Sequence, residues 1–191
     1  MNGVIGFTEL ALSEEKDPAQ RRRLHMIADS SNAMLRLLND LLDFAKIEAN
    51  QMVLDKRSFS INDTVEDVAT LMSARAAEKD LELIVRLRPN LPTRLLGDPS
   101  RFRQVITNLL GNAVKFSDGP AMVRVEARPA TGGDGVMLKV VDKGIGIDPA
   151  ELPLVTDPFT RARDPQVRKR EGSGLGLAVS RMLAEQLGGG L

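Results

Sequence analysis

Leu24, Ala28, Ser31, Leu35, Leu38, Leu42 and Ala45 recur at intervals of 4, 3, 4, 3, 4 and 3 residues, a heptad seam broken in character only by Ser31. Residues spaced in this way share one face of a helix, so a helix of about 30 residues is the firmest element in the chain. Upstream, Ser13-Glu14-Glu15-Lys16-Asp17-Pro18 interrupts the apolar periodicity and ends on a proline suited to a first helical turn. Residues 1–50 therefore read as a two-helix hairpin. Its first helix is too short to cover the second, and Ile27, Met34 and Leu41 add apolar surface beside the seam. That surplus implies a four-helix bundle built by two chains, a homodimer. The alternative is a hairpin folded back on the rest of its own chain.

Residues 51–58 are polar and short and read as a linker, with a second domain over 59–191. This domain opens at Ser60-Ile61-Asn62-Asp63, where Ser60 can cap a helix and Asp63 answers three residues on. Val65, Val68, Leu71 and Met72 mark the face that this helix buries. Leu81 to Leu87 alternates as a strand, and Asp98-Pro99 supplies a cap and a first-turn proline for a second helix. Val123, Val125 and Ala127 alternate with Arg124, Glu126 and Arg128. Gly132-Gly133-Asp134-Gly135 then turns the chain into Val136 to Val141, and a last helix runs from Leu175 to Leu187 before Gly188. Helices interleaved with antiparallel strands give an α+β chain: the hairpin, then an α/β sandwich with its helices on one face of the sheet.

The 26 basic and 26 acidic residues cancel, so no global charge draws the chain to nucleic acid or to an anionic membrane. With no cysteine there is neither a disulfide scaffold nor a CxxC metal site. The apolar runs fall far short of the roughly 18 residues that a membrane span needs. The start of the chain also lacks the basic-then-apolar pattern of a signal peptide. A soluble, cytoplasmic segment without membrane contact is expected, although a sensor or membrane segment could lie upstream.

Three motifs stand in order over about 70 residues: the helix Asn108-Leu109-Leu110-Gly111-Asn112-Ala113-Val114-Lys115-Phe116, the turn Asp142-Lys143-Gly144-Ile145-Gly146, and the turn Gly172-Ser173-Gly174-Leu175-Gly176-Leu177. Asn108, Asn112 and Lys115 project from one helical face. Each motif alone is weak, but their order and spacing describe a nucleotide pocket. The set resembles the N, G1 and G2 boxes of the histidine kinases, within the Bergerat-fold ATPases that also include gyrase and the mismatch-repair ATPases. Met1 to Phe7 resembles the stretch that follows the phosphoacceptor motif H-E-[IL]-R-T-P, and Gly188-Gly189-Gly190-Leu191 resembles the family's G-G-x-[IL], which two further strands normally follow. The expectation is a family core trimmed at both ends, with the acceptor histidine upstream of Met1.

The resemblance implies ATP and Mg²⁺ as cofactors. Asn112 would ligate the metal through its amide oxygen, a donor that suits a hard cation sharing its shell with phosphates and water. Asn108 and Lys115 would lie beside the phosphates, Phe116 would line the cavity, and Asp142 would accept a hydrogen bond from the exocyclic amine of adenine. Gly144 and Gly146 would let that turn approach the ligand. Gly172, Gly174 and Gly176, with Leu175 and Leu177 among them, would turn backbone N–H groups toward phosphate at a helix start. Arg161, Arg163, Arg168, Lys169 and Arg170 outnumber Asp164 and Glu171 by three charges, at the place of the family's ATP lid. Leu154 to Phe159 resembles the F box, commonly F-x-P-F, but Thr156 takes the first aromatic position while Phe159 keeps the last.

Gyrase-type relatives carry a glutamate general base at the position of Asn108, and an amide cannot accept a proton at neutral pH. Hydrolysis should be slow, whereas a histidine imidazole attacks phosphorus without a base to activate it. The implied activity is phosphoryl transfer to histidine and relay to the receiver domain of a response regulator. His25, the only histidine, is followed by Met26-Ile27-Ala28-Asp29 and lacks the acceptor context. A regulatory module that holds ATP and transfers nothing is the alternative.

Overall fold

The computed structural model describes residues 2–130, 135–160 and 172–191. The chain divides into two compact units, residues 1–50 and 51–191. The first is the expected hairpin of α1 (Asn2–Glu14) and α2 (Pro18–Glu48). Asp17 caps α2 by accepting from the Ala19 amide at 2.9 Å, with Pro18 in the first turn. Arg21 of α2 donates to the carbonyls of Leu12 and Glu15 at 2.7 and 3.0 Å, satisfying the end of α1 and setting the turn. Ala28 and Ser31 are buried, small enough to let the helices close. Leu38 and Leu42, further along the same seam, remain 46% and 49% exposed, as do Ile27, Met34, Leu37 and Leu41 to similar degrees.

The second unit contains β1 (Arg57–Phe59), α3 (Ile61–Ala77), β2 (Leu81–Leu87), β3 (Leu95–Gly97), α4 (Pro99–Phe116), β4 (Ala121–Pro129), β5 (Val136–Val141), a 3₁₀ turn at Leu152–Leu154 and α5 (Gly176–Gln186). Ser60 caps α3 through the Asp63 amide. Its inner face is Ile61, Val65, Val68 and Met72, but Leu71 is exposed and does not belong to it. Leu71 lies round the helix on the side of Val68 away from Met72, about 100° from Met72, and so falls off the stripe that Val65, Val68 and Met72 present.

The main sheet runs β2-β4-β5. The pair β4/β5 is antiparallel, with the hairpin closed by Ala130 N–H on the Gly135 carbonyl at 2.9 Å. The glycine-rich residues 132–134 lie outside the described residues. The pair β2/β4 is parallel, which corrects the expectation of a wholly antiparallel sheet. Parallel neighbours need a crossover, and α4 is that crossover, so one helix spans the layer from strand to strand. Val123, Val125 and Ala127 of β4 are fully buried in the cluster that holds Ile106, Leu110, Ala113 and Val114 of α4 and the inner face of α3. Full burial of each valine, leucine or isoleucine among them contributes about 1.5–3 kcal/mol.

A second, two-stranded antiparallel sheet pairs Arg57↔Gly97, Ser58↔Leu96 and Phe59↔Leu95. Arg57 and Ser58, assigned to the linker from sequence, are thus strand residues. Arg94 holds the pair by donating to the Ser58 hydroxyl and carbonyl, and Phe59 stacks at a tilt on Phe102 of α4, 5.5 Å between ring centres. Three-residue strands have too few positions for an alternation to be visible.

Candidate functional site

Asp98 fixes where α4 begins. Its carboxylate accepts from Ser100 N and Oγ and from Arg101 N through Oδ1, and from Asp55 N through Oδ2. Burial alone would raise its pKa, but these donors outweigh burial and hold the carboxyl below its ordinary range. The helix then carries Asn108, Asn112, Lys115 and Phe116 along its C-terminal half.

There the two glycine turns meet it. Ile145 N–H donates to the Phe116 carbonyl at 3.3 Å, so the turn that follows β5 rests on the last residue of α4. A Cβ on Gly144 would stand 2.5 Å from that carbonyl and 2.8 Å from Asp142 Oδ1. Gly144 is therefore required by the packing of the turn against α4, a reason nearer than ligand approach. Gly146 has a left-handed φ of 73° with open space about it. Asp142, exposed directly after β5, accepts from Gly144 N at 2.8 Å, which orients its carboxylate.

The second turn arrives from the other side. A Cβ on Gly172 would lie 2.8 Å from Lys115 Nζ, and one on Gly176 would lie 3.8 Å from the Asn108 amide carbon. Asn108 Nδ2 donates to the Gly176 carbonyl at 3.3 Å and to the Ser180 hydroxyl at 3.2 Å, tying α4 to the first turn of α5. Leu175 precedes α5 without any side-chain cap on the helix, so the N–H groups of that first turn, Gly176 and Leu177 among them, are left for another acceptor. Leu175 N–H itself donates to Ser173 Oγ. Asn112 is half-buried on the same face of α4, and its amide makes no hydrogen bond among the described residues. Lys115 Nζ also lies 4.6 Å from the Phe116 ring centre.

Phe159 N–H donates to the Gly174 carbonyl at 3.1 Å, and Gly174, at φ 73°, has no room for a Cβ beside the Thr160 and Phe159 backbone. The two strands of chain at 159–160 and 172–174 are pinched together. The basic residues 161–171, expected at the place of an ATP lid, lie outside the described residues. Phe159 is 62% exposed with a φ of 60°. Thr156 accepts from Arg181 of α5 at 2.9 Å, and Arg181 stands 3.9 Å from Asp157, so a polar tie occupies the place of an aromatic.

The structure thus brings the three motifs together along the C-terminal half of α4. The sequence reading missed Ser180, although its spacing of four from Gly176 puts both on one face of α5. It also missed Arg181 as the partner of Thr156, and Lys79, discussed below. His25 is exposed on α2. Among the described residues no group of three or more His, Asp or Glu stands together to hold a metal, so an ion held by Asn112 would complete its shell with phosphate and water oxygens. No described helix is long and apolar enough to cross a membrane.

The family of histidine kinase-, DNA gyrase B- and HSP90-like ATPases matches residues 97–191, and the His Kinase A (phospho-acceptor) domain matches residues 1–50. The signal transduction histidine-protein kinase BarA of Escherichia coli K12 is 37% identical over 191 residues, covering 99% of this chain and 21% of BarA. Sensor histidine kinase GacS of Pseudomonas protegens is 36% identical, with the same coverages. The chain spans about a fifth of the length of these relatives. Full-length ShkA, crystallised with AMPPNP, superposes with a TM-score of 0.78 at 34% identity over 98% of this chain and 38% of ShkA. At 19% identity, histidine kinase ThkA in complex with response regulator protein TrrA shares the fold, with a TM-score of 0.67 over 97% of this chain and 51% of that one.

Proposed function

The chain belongs to the sensor histidine kinases, as the core that joins a dimerisation and phosphoacceptor hairpin to an ATPase-type domain, and from that premise we propose that it binds Mg-ATP at the end of α4 and donates the γ-phosphoryl group to a histidine outside these 191 residues. The observation that carries the reading is the convergence of both glycine turns on the C-terminal half of α4, through Phe116 O with Ile145 N–H and through Asn108 with Gly176 and Ser180. The AMPPNP bound by ShkA supports a triphosphate ligand.

Asp142 would read adenine, since its carboxylate accepts from an exocyclic amine where guanine presents an oxygen. Lys115 and the uncapped start of α5 would face the phosphates. Mg²⁺ neutralises phosphate charge when bound, and the free amide of Asn112 is the residue that would hold it. Asn108 lacks the basicity to activate water, and its amide is engaged with α5. The site therefore favours transfer to an imidazole over hydrolysis. The hairpin would pair with a second copy through its open seam, and a receiver domain would take the phosphoryl group onward, as the ThkA–TrrA complex suggests. We place the chain in the cytoplasm.

Calorimetry tests the nucleotide assignment: Mg-ATP and Mg-ADP should bind and GTP should not compete, whereas equal affinity for ATP and GTP would remove it. Because His25 lacks the acceptor context, an ATP-holding module that transfers nothing is the second reading. It is favoured if a protein extended upstream through a histidine of the H-E-x-R-T-P type binds ATP and takes no label.

A further inference from the structure

The last turn of α4 carries Lys115 and Phe116 into the site, yet a helix end is the part that frays, because its last four carbonyls lack partners within the helix. All four are satisfied here. Ala113 O accepts from Ser117 N–H at 3.1 Å and Phe116 O from Ile145 N–H at 3.3 Å. Val114 O and Lys115 O both accept from the ammonium of Lys79, at 3.0 and 2.9 Å, and the same ammonium donates to Ser117 O at 3.1 Å. An ammonium has three N–H donors, and three carbonyls take them. The charge also opposes the negative end of the helix dipole, with Asp118 3.8 Å away as counter-ion.

Lys79 is itself held in place. It follows α3, and Asp80 after it takes a left-handed φ of 59°. Gly119 packs so closely on this turn that a Cβ there would collide with the Lys79 carbonyl and approach Asp80. Immediately beyond, Leu81 and Ala121 are register partners at the start of the parallel pair β2/β4. The turn entering β2 and the turn leaving α4 are thus locked backbone to backbone, and the Lys79 side chain spans from one to the other.

We propose that Lys79, remote in sequence from every nucleotide motif, is a positioning residue for the site: it holds the end of α4 in the place where the two glycine turns engage it. This rests on the reading of that site as an ATP pocket. Lys79→Met would strand three carbonyls and loosen the turn that presents Lys115 and receives Ile145. The affinity for Mg-ATP should fall roughly tenfold, the scale of losing hydrogen bonds to a charged group. Amide exchange at Ser117 and Ile145, the two N–H groups bound to the helix end, should quicken, while Val123 and Val125 in the sheet keep their protection.

The chain contains no cysteine, which permits a rescue. In Lys79→Cys, alkylation with 2-bromoethylamine creates a side chain of lysine's length ending in an ammonium, and it should restore both the affinity and the protection at Ser117 and Ile145. Unchanged exchange at those amides in Lys79→Met would overturn the proposal. So would a fully aminoethylated Lys79→Cys that stays weak in binding, or a loss of protection that extends through Val123 and Val125, which would mark Lys79 as a support of the whole fold. Failure of the unaltered chain to bind Mg-ATP would sink the pocket assignment alone, since the exchange measurements and their rescue decide the role of Lys79 without nucleotide.

Discussion

Gly144 has no space for a methyl group between the Phe116 carbonyl and the Asp142 carboxylate. Gly144→Ala should push the turn off the end of α4 and weaken Mg-ATP binding at least tenfold by calorimetry while the sheet stays folded by circular dichroism. Asp142→Ala leaves the turn free to pack and should cost about 1–3 kcal/mol in nucleotide affinity, the range for a lost buried hydrogen bond. Asp98 belongs to stability rather than to binding. Its folded pKa is lowered, so the stabilisation it gives is complete above the unfolded value of roughly 3.9 and is lost as pH falls through the lower folded value. Urea unfolding should show Asp98→Ala destabilised by about 1–2 kcal/mol at pH 7, the worth of an N-cap. The two proteins should converge on the acid side. Such residues were legible because glycine, proline and capping aspartate carry their conformations in their own covalent structure. Lys79 was not, since a lysine beside a helix end is indistinguishable in sequence from a solvated one.

At the scale of elements, the heptad seam of α2 is satisfied unevenly. Ala28 and Ser31 are covered by the hairpin, whereas Leu38 and Leu42 are not. If a second chain covers them, Leu38→Glu with Leu42→Glu should convert a dimer to a monomer in sedimentation, with the ATP-binding unit unaffected. A wild-type monomer at high micromolar concentration would remove the premise. Periodicity made the two long helices, α3, β2 and the β4/β5 hairpin readable, because each repeats a pattern over several turns or pleats. It could not give strand direction: Leu81 to Leu87 alternates alike in a parallel or an antiparallel pair, and only the α4 crossover decides. Strands β1 and β3 were invisible for want of length, and Leu71 shows that an apolar residue near the stripe of a helix need not lie on it.

For the whole molecule, the division at residue 50 was readable from the short polar stretch that follows the heptad seam. The candidate site was readable as motifs but not as an assembly, because nothing in a glycine turn states which helix end it will rest on. Mg-ATP at about a hundred times its Kd should raise unfolding free energy by roughly 2.7 kcal/mol, seen as a higher thermal midpoint that GTP does not reproduce. The 191 residues should incorporate no label from γ-labelled ATP, and label on His25 would refute the acceptor assignment. One contact has a bearing on how such a domain can vary. Where Phe159 N–H meets Gly174 O, residues well separated in sequence are tied backbone to backbone just ahead of α5. The tie fixes the approach to α5 from residues on both sides of 161–171, so insertions within that sequence should leave the hydrogen bonds of Asn108 to Gly176 and Ser180 undisturbed.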